Sequence, residues 1–108
     1  MTDAYVRFPP FVLDPVAGCL LRDGEAVHLR PRTWDVLRYL VARQRQLVSK
    51  DDLLGSVWTN AIVSEGTLTH SIRELRVALG DDAHSPKYIE TVHRRGFRFV
   101  ARLEALTR

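Results

Sequence analysis

Arginine is concentrated in one short stretch near the C-terminus, HRRGFRFV at residues 93–100. Three guanidinium groups, those of Arg94, Arg95 and Arg98, surround one glycine and two phenylalanines. A guanidinium presents a rigid fork of donors that matches a phosphate, and it is attracted into narrow grooves of negative potential. The stretch therefore has the side chains to bind a polyanion, provided that the fold presents them together at the surface.

A second set of polar side chains follows the helical periodicity of residues 65–79. Apolar residues recur there at +4, +3 and +4 and predict a buried stripe, formed by Leu68, Ile72, Leu75 and Leu79. The rest of the helix carries hydroxyl, imidazole, carboxylate and guanidinium groups, which can reach base edges and phosphates. These groups belong to Thr67, Thr69, His70, Arg73, Glu74 and Arg76. Taken alone, the helix fits an ordinary solvated face equally well, and the arginine-rich stretch favours the binding interpretation.

The first thirty residues predict a small antiparallel sheet. Asp23-Gly24 separates two short apolar runs, and both residue types tolerate the positive φ of a tight hairpin turn. Residues 5–14 are also rich in strand-forming residues but contain Pro9 and Pro10. Because proline cannot donate to a ladder, we expect any strand here to be an edge or to begin after the prolines.

Three helices and a hairpin are predicted after residue 30. Pro31 is well placed near the start of a helix over about 32–43. Ser49 and Asp52 form a capping-box pattern that opens a second helix over about 50–57. Ser64 is the expected N-cap of the third helix, which Gly80 ends. Two strand-forming runs, YIETV and FRFVA, then flank HRRG, where Gly96 is expected to let the chain turn.

Composition narrows the classes of function. A chain of 108 residues fits one domain, and its net charge of +3 and pI of about 9.5 permit nucleic-acid binding without proving it. A single cysteine, Cys19, excludes an internal disulfide and is expected to be a small buried hydrophobe. No apolar run approaches the length of a membrane span, so we expect this segment to fold in water without membrane contact.

The sequence contains no recognisable catalytic, cofactor or metal motif. Its four histidines are far apart and lack the spacing of a metal site, and there is no glycine-rich phosphate loop. The paired aspartates at 51–52 and 81–82 flank helix ends, where they have a structural explanation. We therefore expect no cofactor, no metal and no enzymatic activity.

The combined pattern resembles the OmpR/PhoB-type winged-helix DNA-binding domain, and more narrowly the N-terminal domains of CadC/ToxR-like transcriptional regulators. The resemblance covers residues 6–102 and rests on four segments. They are LVSKDDLL at the opening of the second helix, Trp58, SIRELRVAL, and TVHRRGFRF near the C-terminus. It implies an α+β fold, a winged helix-turn-helix with a four-stranded N-terminal antiparallel sheet, three helices and a C-terminal β-hairpin wing. The domain would span 6–103, after a flexible N-terminus at 1–5 and before a tail or linker at 104–108.

The resemblance also implies roles for individual residues. Thr67 and Arg76 would contact phosphate, with Thr69 beside them, while His70, Arg73 and Glu74 would face bases. Arg94, Arg95 and Arg98 would belong to the wing. Trp58 would lie near the DNA backbone or RNA polymerase, although a core or half-buried anchor is the more common use of a tryptophan. At the position of Glu74 relatives often have a basic residue, and a carboxylate there repels phosphate.

The resemblance implies sequence-specific binding of double-stranded DNA by a bacterial transcriptional regulator, in which the third helix lies in the major groove. The alternative is a protein-interaction module, for example for RNA polymerase, that uses the same surface. We expect a monomer in solution and a possible head-to-tail dimer on DNA. Because the domain begins near Met1, we also expect a one-component regulator without a preceding receiver domain, whose sensor would follow residue 108. This segment would be cytoplasmic, on its own or as part of a membrane-anchored protein.

Overall fold

The computed structural model describes residues 4–107, which form three helices and two antiparallel sheets. The helices are α1 (Pro31–Ala42), α2 (Lys50–Val57) and α3 (Glu65–Leu79). The strands, in chain order, are β1 (Ala4–Phe8), β2 (Phe11–Asp14), β3 (Cys19–Arg22), β4 (Glu25–Val27), β5 (Val48–Ser49), β6 (Ile89–Val92), β7 (Gly96–Phe99) and β8 (Glu104–Thr107). The predicted order of sheet, three helices and hairpin is confirmed.

The first sheet has five strands in the order β4-β3-β2-β1-β8. As predicted, Asp23 and Gly24 make the β3–β4 turn, with φ values of 51° and 85°. The expectation for the two prolines is confirmed for β2, which begins after them, but it was wrong for β1, an interior strand that ends before them, and Pro9-Pro10 forms the turn between the two strands. The prolines therefore need not donate to the ladder. Cys19, expected to be buried, is only half-buried at the start of β3.

The fifth strand corrects the predicted limits of the domain and the four-stranded sheet. Glu104–Thr107 was assigned to a tail and Ala4–Tyr5 to a flexible N-terminus, yet Glu104–Thr107 forms β8 and pairs with residues 4–7 of β1. A four-residue run with no strong alternation gives little sequence signal, and its pairing with β1 joins residues about a hundred positions apart. The rest of both predicted termini, residues 1–3 and 108, lies outside the described residues.

The helices begin and end close to where the sequence places them. The side chain of Ser49 accepts a hydrogen bond from the backbone N–H of Asp52, which confirms the predicted N-cap of α2. Gly80 ends α3 with φ 67° and ψ 32°, the left-handed conformation that glycine adopts most easily. Ser64 precedes α3 as expected, but its hydroxyl makes no capping bond.

The core lies between the helices and the inner faces of both sheets. All four predicted stripe residues of α3 are buried, and α1 contributes Val36, Leu37, Leu40 and Val41. Phe8, Phe11, Tyr88 and Phe99 form an aromatic cluster with ring centroids 5.2 to 5.9 Å apart. This cluster joins the N-terminal sheet to the C-terminal hairpin. Phe8 and Phe11 lie on β1 and β2 of the sheet, Phe99 lies on β7 of the hairpin, and Tyr88 directly precedes β6.

The second sheet has three strands in the order β5-β7-β6 and includes the predicted hairpin. We call β6, β7 and their connecting residues 93–95 the wing. The sequence predicted that Gly96 would supply the turn, but Gly96 is the first residue of β7. The residue with positive φ in the connection is Arg94, at 62°. Gly96 is instead required by packing, because a Cβ there would overlap the carbonyl oxygen of Val48 in β5.

Candidate nucleic-acid interface

Helix α3 presents three sides besides its buried stripe. At about 100° per residue, Thr69, Arg73 and Arg76 fall on one flank, and Thr67 and Glu74 on the other. His70 and Val77 lie near the outermost line, opposite the core. Val77 is 79% exposed on that line. The α3 residues predicted to bind DNA are therefore divided between two grooves that border this helix.

The wing-side groove, between α3 and the wing, is strongly cationic. Its volume is about 400 Å³, and among its lining residues are Lys50, Arg73, Arg76 and Arg94, together with Thr69 and His93. Among these cations within the described residues, only Lys50 forms a salt bridge, with Glu65 at 3.5 Å, and Asp81 adds a longer-range attraction to Arg76. Four positive charges around one groove create a site for an anion, and the fork geometry of arginine suits phosphate.

Arg76 joins α3 to the wing. Its Nη2 donates to the carbonyl oxygen of Ile89 at 2.9 Å and to Oγ1 of Thr91 at 2.7 Å. Burial lowers the pKa of the Arg76 guanidinium, and its Nε is buried with no hydrogen-bond partner in residues 4–107. The side chain predicted to contact phosphate thus already fixes the distance between helix and wing.

Arg98 lies apart from the other two wing arginines. Its Nη1 donates to Oε1 of Glu90 at 3.1 Å, directly across the β6–β7 ladder. Because side chains alternate along a strand, Arg98 points away from the face that carries the buried Phe97 and Phe99. Thr91 pairs with Phe97 and so lies on the same face of the wing as Phe97. This is the face toward α3, because Arg76 of α3 donates to the hydroxyl of Thr91. Arg98 therefore faces away from α3, whereas Arg94 and Arg95 are exposed at the tip of the wing.

The second groove, which we call the α1-side groove, lies between α3 and the start of α1. It has a volume of about 790 Å³ and includes Thr67, His70 and Glu74 of α3, with Arg30 and Arg32 opposite them. Glu74, predicted to face bases, is held instead by α1. Its Oε2 accepts from Nε of Arg30 at 2.7 Å, and its Oε1 accepts from the buried Thr33 hydroxyl at 2.5 Å.

The contacts of Glu74 also lower its pKa, and Arg30 contacts a second residue of α3. The hydrogen bond from Arg30 is the main cause that lowers the pKa of Glu74, followed by the bond from Thr33, so the carboxylate is ionised at neutral pH. Nη2 of Arg30 lies 2.8 Å from Nε2 of His70. Since an arginine side chain has only donors, a hydrogen bond here requires this nitrogen of His70 to accept.

Trp58 is a core residue at the end of α2. Its side chain is 8% exposed and packs in the core, which confirms the anchor interpretation of this tryptophan. Its small exposed part borders the α1-side groove and a shallow cleft of about 290 Å³ under the loop that joins α2 to α3. In that loop Ile62 is fully exposed.

The basic residues at the grooves that the sequence analysis missed include Lys50 and Arg30. Lys50 begins α2 and reaches the wing-side groove because β5 pairs with β7. Arg30 precedes α1 and reaches α3 through a contact that spans 44 positions of sequence. Arg30 belongs to no local pattern, and Lys50 lies in LVSKDDLL, a segment that was interpreted only as the start of a helix. Both lie at helix N-termini, where a cation gains nothing from the helix dipole. That unfavourable placement is the one signal that could have identified them.

The chain matches the family described as "Transcriptional regulatory protein, C terminal" over residues 24–99. It is 35% identical to the transcriptional activator CadC of Escherichia coli over 101 residues, which are 93% of this chain and 20% of that protein. It is 39% identical over 92 residues to the transcriptional regulator HilA of Salmonella typhimurium, 85% of this chain and 16% of that protein. The chain therefore spans about a fifth or less of these relatives.

Solved structures have the same fold. The DNA-binding domain of E. coli CadC superposes with a TM-score of 0.80 at 31% identity, covering 96% of this chain and 98% of that one. The DNA-binding domain of Klebsiella pneumoniae RstA, solved in complex with the RstA box, gives 0.78 at 28% identity, with 89% and 96% covered. Within residues 4–107, no helix is long and apolar enough to cross a membrane.

Proposed function

Because the chain belongs to the family of OmpR/PhoB-type transcriptional regulatory domains, we propose that it binds double-stranded DNA with α3 in the major groove. The observation that carries the proposal is the cationic wing-side groove beside α3. The major groove, about 12 Å wide, accepts one helix. A helix in that position has a phosphate backbone on each side, and the wing-side groove supplies cations for one of them.

In this arrangement, the residues differ in the part of the DNA that they contact. Arg94 and Arg95 at the wing tip, with Lys50 and Thr69, contact phosphate or a narrow minor groove. Arg73 projects from the middle of α3 without a hydrogen bond to any described residue, so its fork is free to pair with a guanine. Thr67 and His70 border the opposite groove and approach the second strand. Arg98 faces away from α3 and contributes charge at longer range.

The proposal is tested by the salt dependence of duplex binding. About five or six phosphate contacts predict that log K falls against log salt with a slope near −5. Replacing Arg94 and Arg95 together with alanine should weaken binding to most sequences alike and bring the slope to about −3, since each lost phosphate contact removes about 1. Fluorescence anisotropy with a labelled duplex over a salt series measures both quantities.

The outcome that contradicts the proposal is binding whose strength does not change between low and physiological salt. The matched control is Arg98→Ala, which removes the same charge from the other face of the wing. It should change the slope by less than either wing-tip arginine. If the wing-tip variants altered the preference at one base pair instead, the roles of wing and helix would be exchanged.

A contact with RNA polymerase is a second candidate function, favoured by the exposed Ile62 above the cleft next to Trp58. Ile62→Ser should weaken binding of purified RNA polymerase about tenfold, because a buried aliphatic side chain contributes about 1.5–3 kcal/mol. It should leave affinity for DNA unchanged. Val16→Ser, which alters another exposed aliphatic residue in the distant β2–β3 turn, is the control. Equal affinity of polymerase for wild type and Ile62→Ser would exclude this surface.

The relatives are several times longer than this chain, and we extend the proposal to a larger protein of the same organisation. In such a protein this domain would bind DNA as a monomer or as head-to-tail pairs, and another part would receive the signal. Binding to the chromosome would place the domain in the cytoplasm, whether or not the larger protein is anchored in a membrane.

A further inference from the structure

Arg30 occupies an unusual position for a cation, immediately before the first turn of α1. Its backbone carbonyl accepts from the N–H of Trp34, and Pro31 follows it as the first helical residue. The helix dipole disfavours a positive charge there. Arg30 is nevertheless fixed in place, because its Nε donates to Oε2 of Glu74 at 2.7 Å.

The carboxylate of Glu74 orients the guanidinium without enclosing it. Thr33 holds the second oxygen of Glu74, so the carboxylate is fixed from two sides. The side chain of Arg30 remains 57% exposed, and within residues 4–107 its only bonds are those of Nε and of one Nη2 hydrogen. Of the five donors of an arginine, three are left for a ligand.

The free donors of Arg30 lie beside the surface that we assign to DNA. Its Nη2 is 2.8 Å from Nε2 of His70, which lies near the outermost line of α3. Arg30 also lines the α1-side groove, which includes Thr67. This groove borders the flank of α3 opposite the wing, and therefore faces the second phosphate backbone of a major groove that contains α3.

We propose that Arg30 binds a phosphate of the DNA strand on the α1 side, and that Glu74 is the positioning residue that holds Arg30 there. The inference rests on the proposed function. It replaces the role implied by the resemblance, in which Glu74 faces a base. A carboxylate close to DNA repels phosphate, and pairing with Arg30 neutralises this repulsion and directs the cation toward the strand.

A double-mutant cycle tests the two roles together. The variants are Arg30→Ala, Glu74→Ala and both combined, each measured by anisotropy over a salt series on a duplex selected from a random library. Arg30→Ala should weaken binding about tenfold at 0.1 M salt and lower the magnitude of the salt slope by about 1. Arg38→Ala is the matched control and should leave the slope unchanged, because the Arg38 guanidinium lies over the ring of Trp34 and borders neither groove of α3.

The effect of Glu74→Ala should depend on Arg30. When Arg30 is present, the variant frees the guanidinium and weakens binding. When Arg30 is absent, the variant only removes an unpaired negative charge, and binding should become stronger. The two effects should therefore have opposite signs, which a purely structural role of Glu74 would not produce. Arg30→Lys keeps the charge but loses the fork, and should restore part of the slope without restoring the dependence on Glu74.

Three results would overturn the inference. They are an unchanged salt slope in Arg30→Ala, the same effect of Glu74→Ala in both backgrounds, and a changed base preference at one position in Glu74→Ala. Thermal unfolding followed by circular dichroism confirms that each variant is folded, and Glu74→Gln replaces Glu74→Ala if the latter is not. Salt-independent binding by the wild-type chain would instead contradict the proposed function itself, so the two failures are distinguishable.

Discussion

Replacing Gly96 with alanine is expected to destabilise the chain by about 3 kcal/mol and to separate the wing from β5. A Cβ at this position would overlap the carbonyl oxygen of Val48 and lie 2.9 Å from Cα of Ser49, and both are backbone atoms that cannot rotate away. Overpacking costs about 1–3 kcal/mol. The φ of 156° adds a cost of similar size for a residue with a side chain. Because Ser49 caps α2, displacement of β5 also disturbs the start of that helix.

Urea unfolding followed by circular dichroism measures this loss of stability. Gly55→Ala is the matched control, since Gly55 lies within α2 and a Cβ there would have no atom within 4 Å. Alanine is the better helix former, so this variant should gain up to about 1 kcal/mol. Equal midpoints for Gly96→Ala and wild type would show that β5 and β7 can move apart without cost.

Replacing Arg73 with alanine is expected to cost about 1–3 kcal/mol of binding to the preferred duplex and less on random DNA. Arg73 is exposed, makes no hydrogen bond within residues 4–107, and points from the middle of α3 along the wing-side groove. The loss is larger on the preferred duplex because only that duplex has a guanine placed for a bidentate contact with Arg73. The loss should be seen as a relaxed preference at one base pair when binding sites are selected from a random library.

Arg7→Ala provides the control for lost charge. Arg7 lies on β1, pairs with Glu104 at 3.8 Å, and alternates with the buried Phe8, so it faces away from the core. Its removal should leave the selected sequence unchanged. An equal loss of affinity on preferred and random duplexes after Arg73→Ala would assign Arg73 to phosphate rather than to a base.

The sequence predicts the helices well because their signals are local. The spacing of Leu68, Ile72, Leu75 and Leu79 determines which side of α3 is buried, and Ser49 marks the start of α2 within three residues of its bonding partner. The turn at Asp23-Gly24 is predicted for the same reason. In each case, the residues that make the interaction are also neighbours in the sequence.

The partners of the site residues could not be predicted in this way. Helical spacing shows that Glu74 lies outside the buried stripe, but not that Arg30 and Thr33, 44 and 41 positions away, would hold its carboxylate. Arg98 similarly belongs to the arginine-rich stretch, and only the register with Glu90 shows that it faces away from α3. Such pairings depend on how the elements pack, which periodicity does not encode.

The pairing of β1 with β8 has a mechanical consequence. Ala4 lies opposite Thr107, and the ladder continues from there to Arg7 and Glu104. A force applied between residues 4 and 107 would act on this end pair first and then on each following pair of the ladder in turn. Hydrogen bonds that are loaded one after another yield at a lower force than bonds sheared together. A pull between these two residues would thus detach β8 before it strained α3 or the wing.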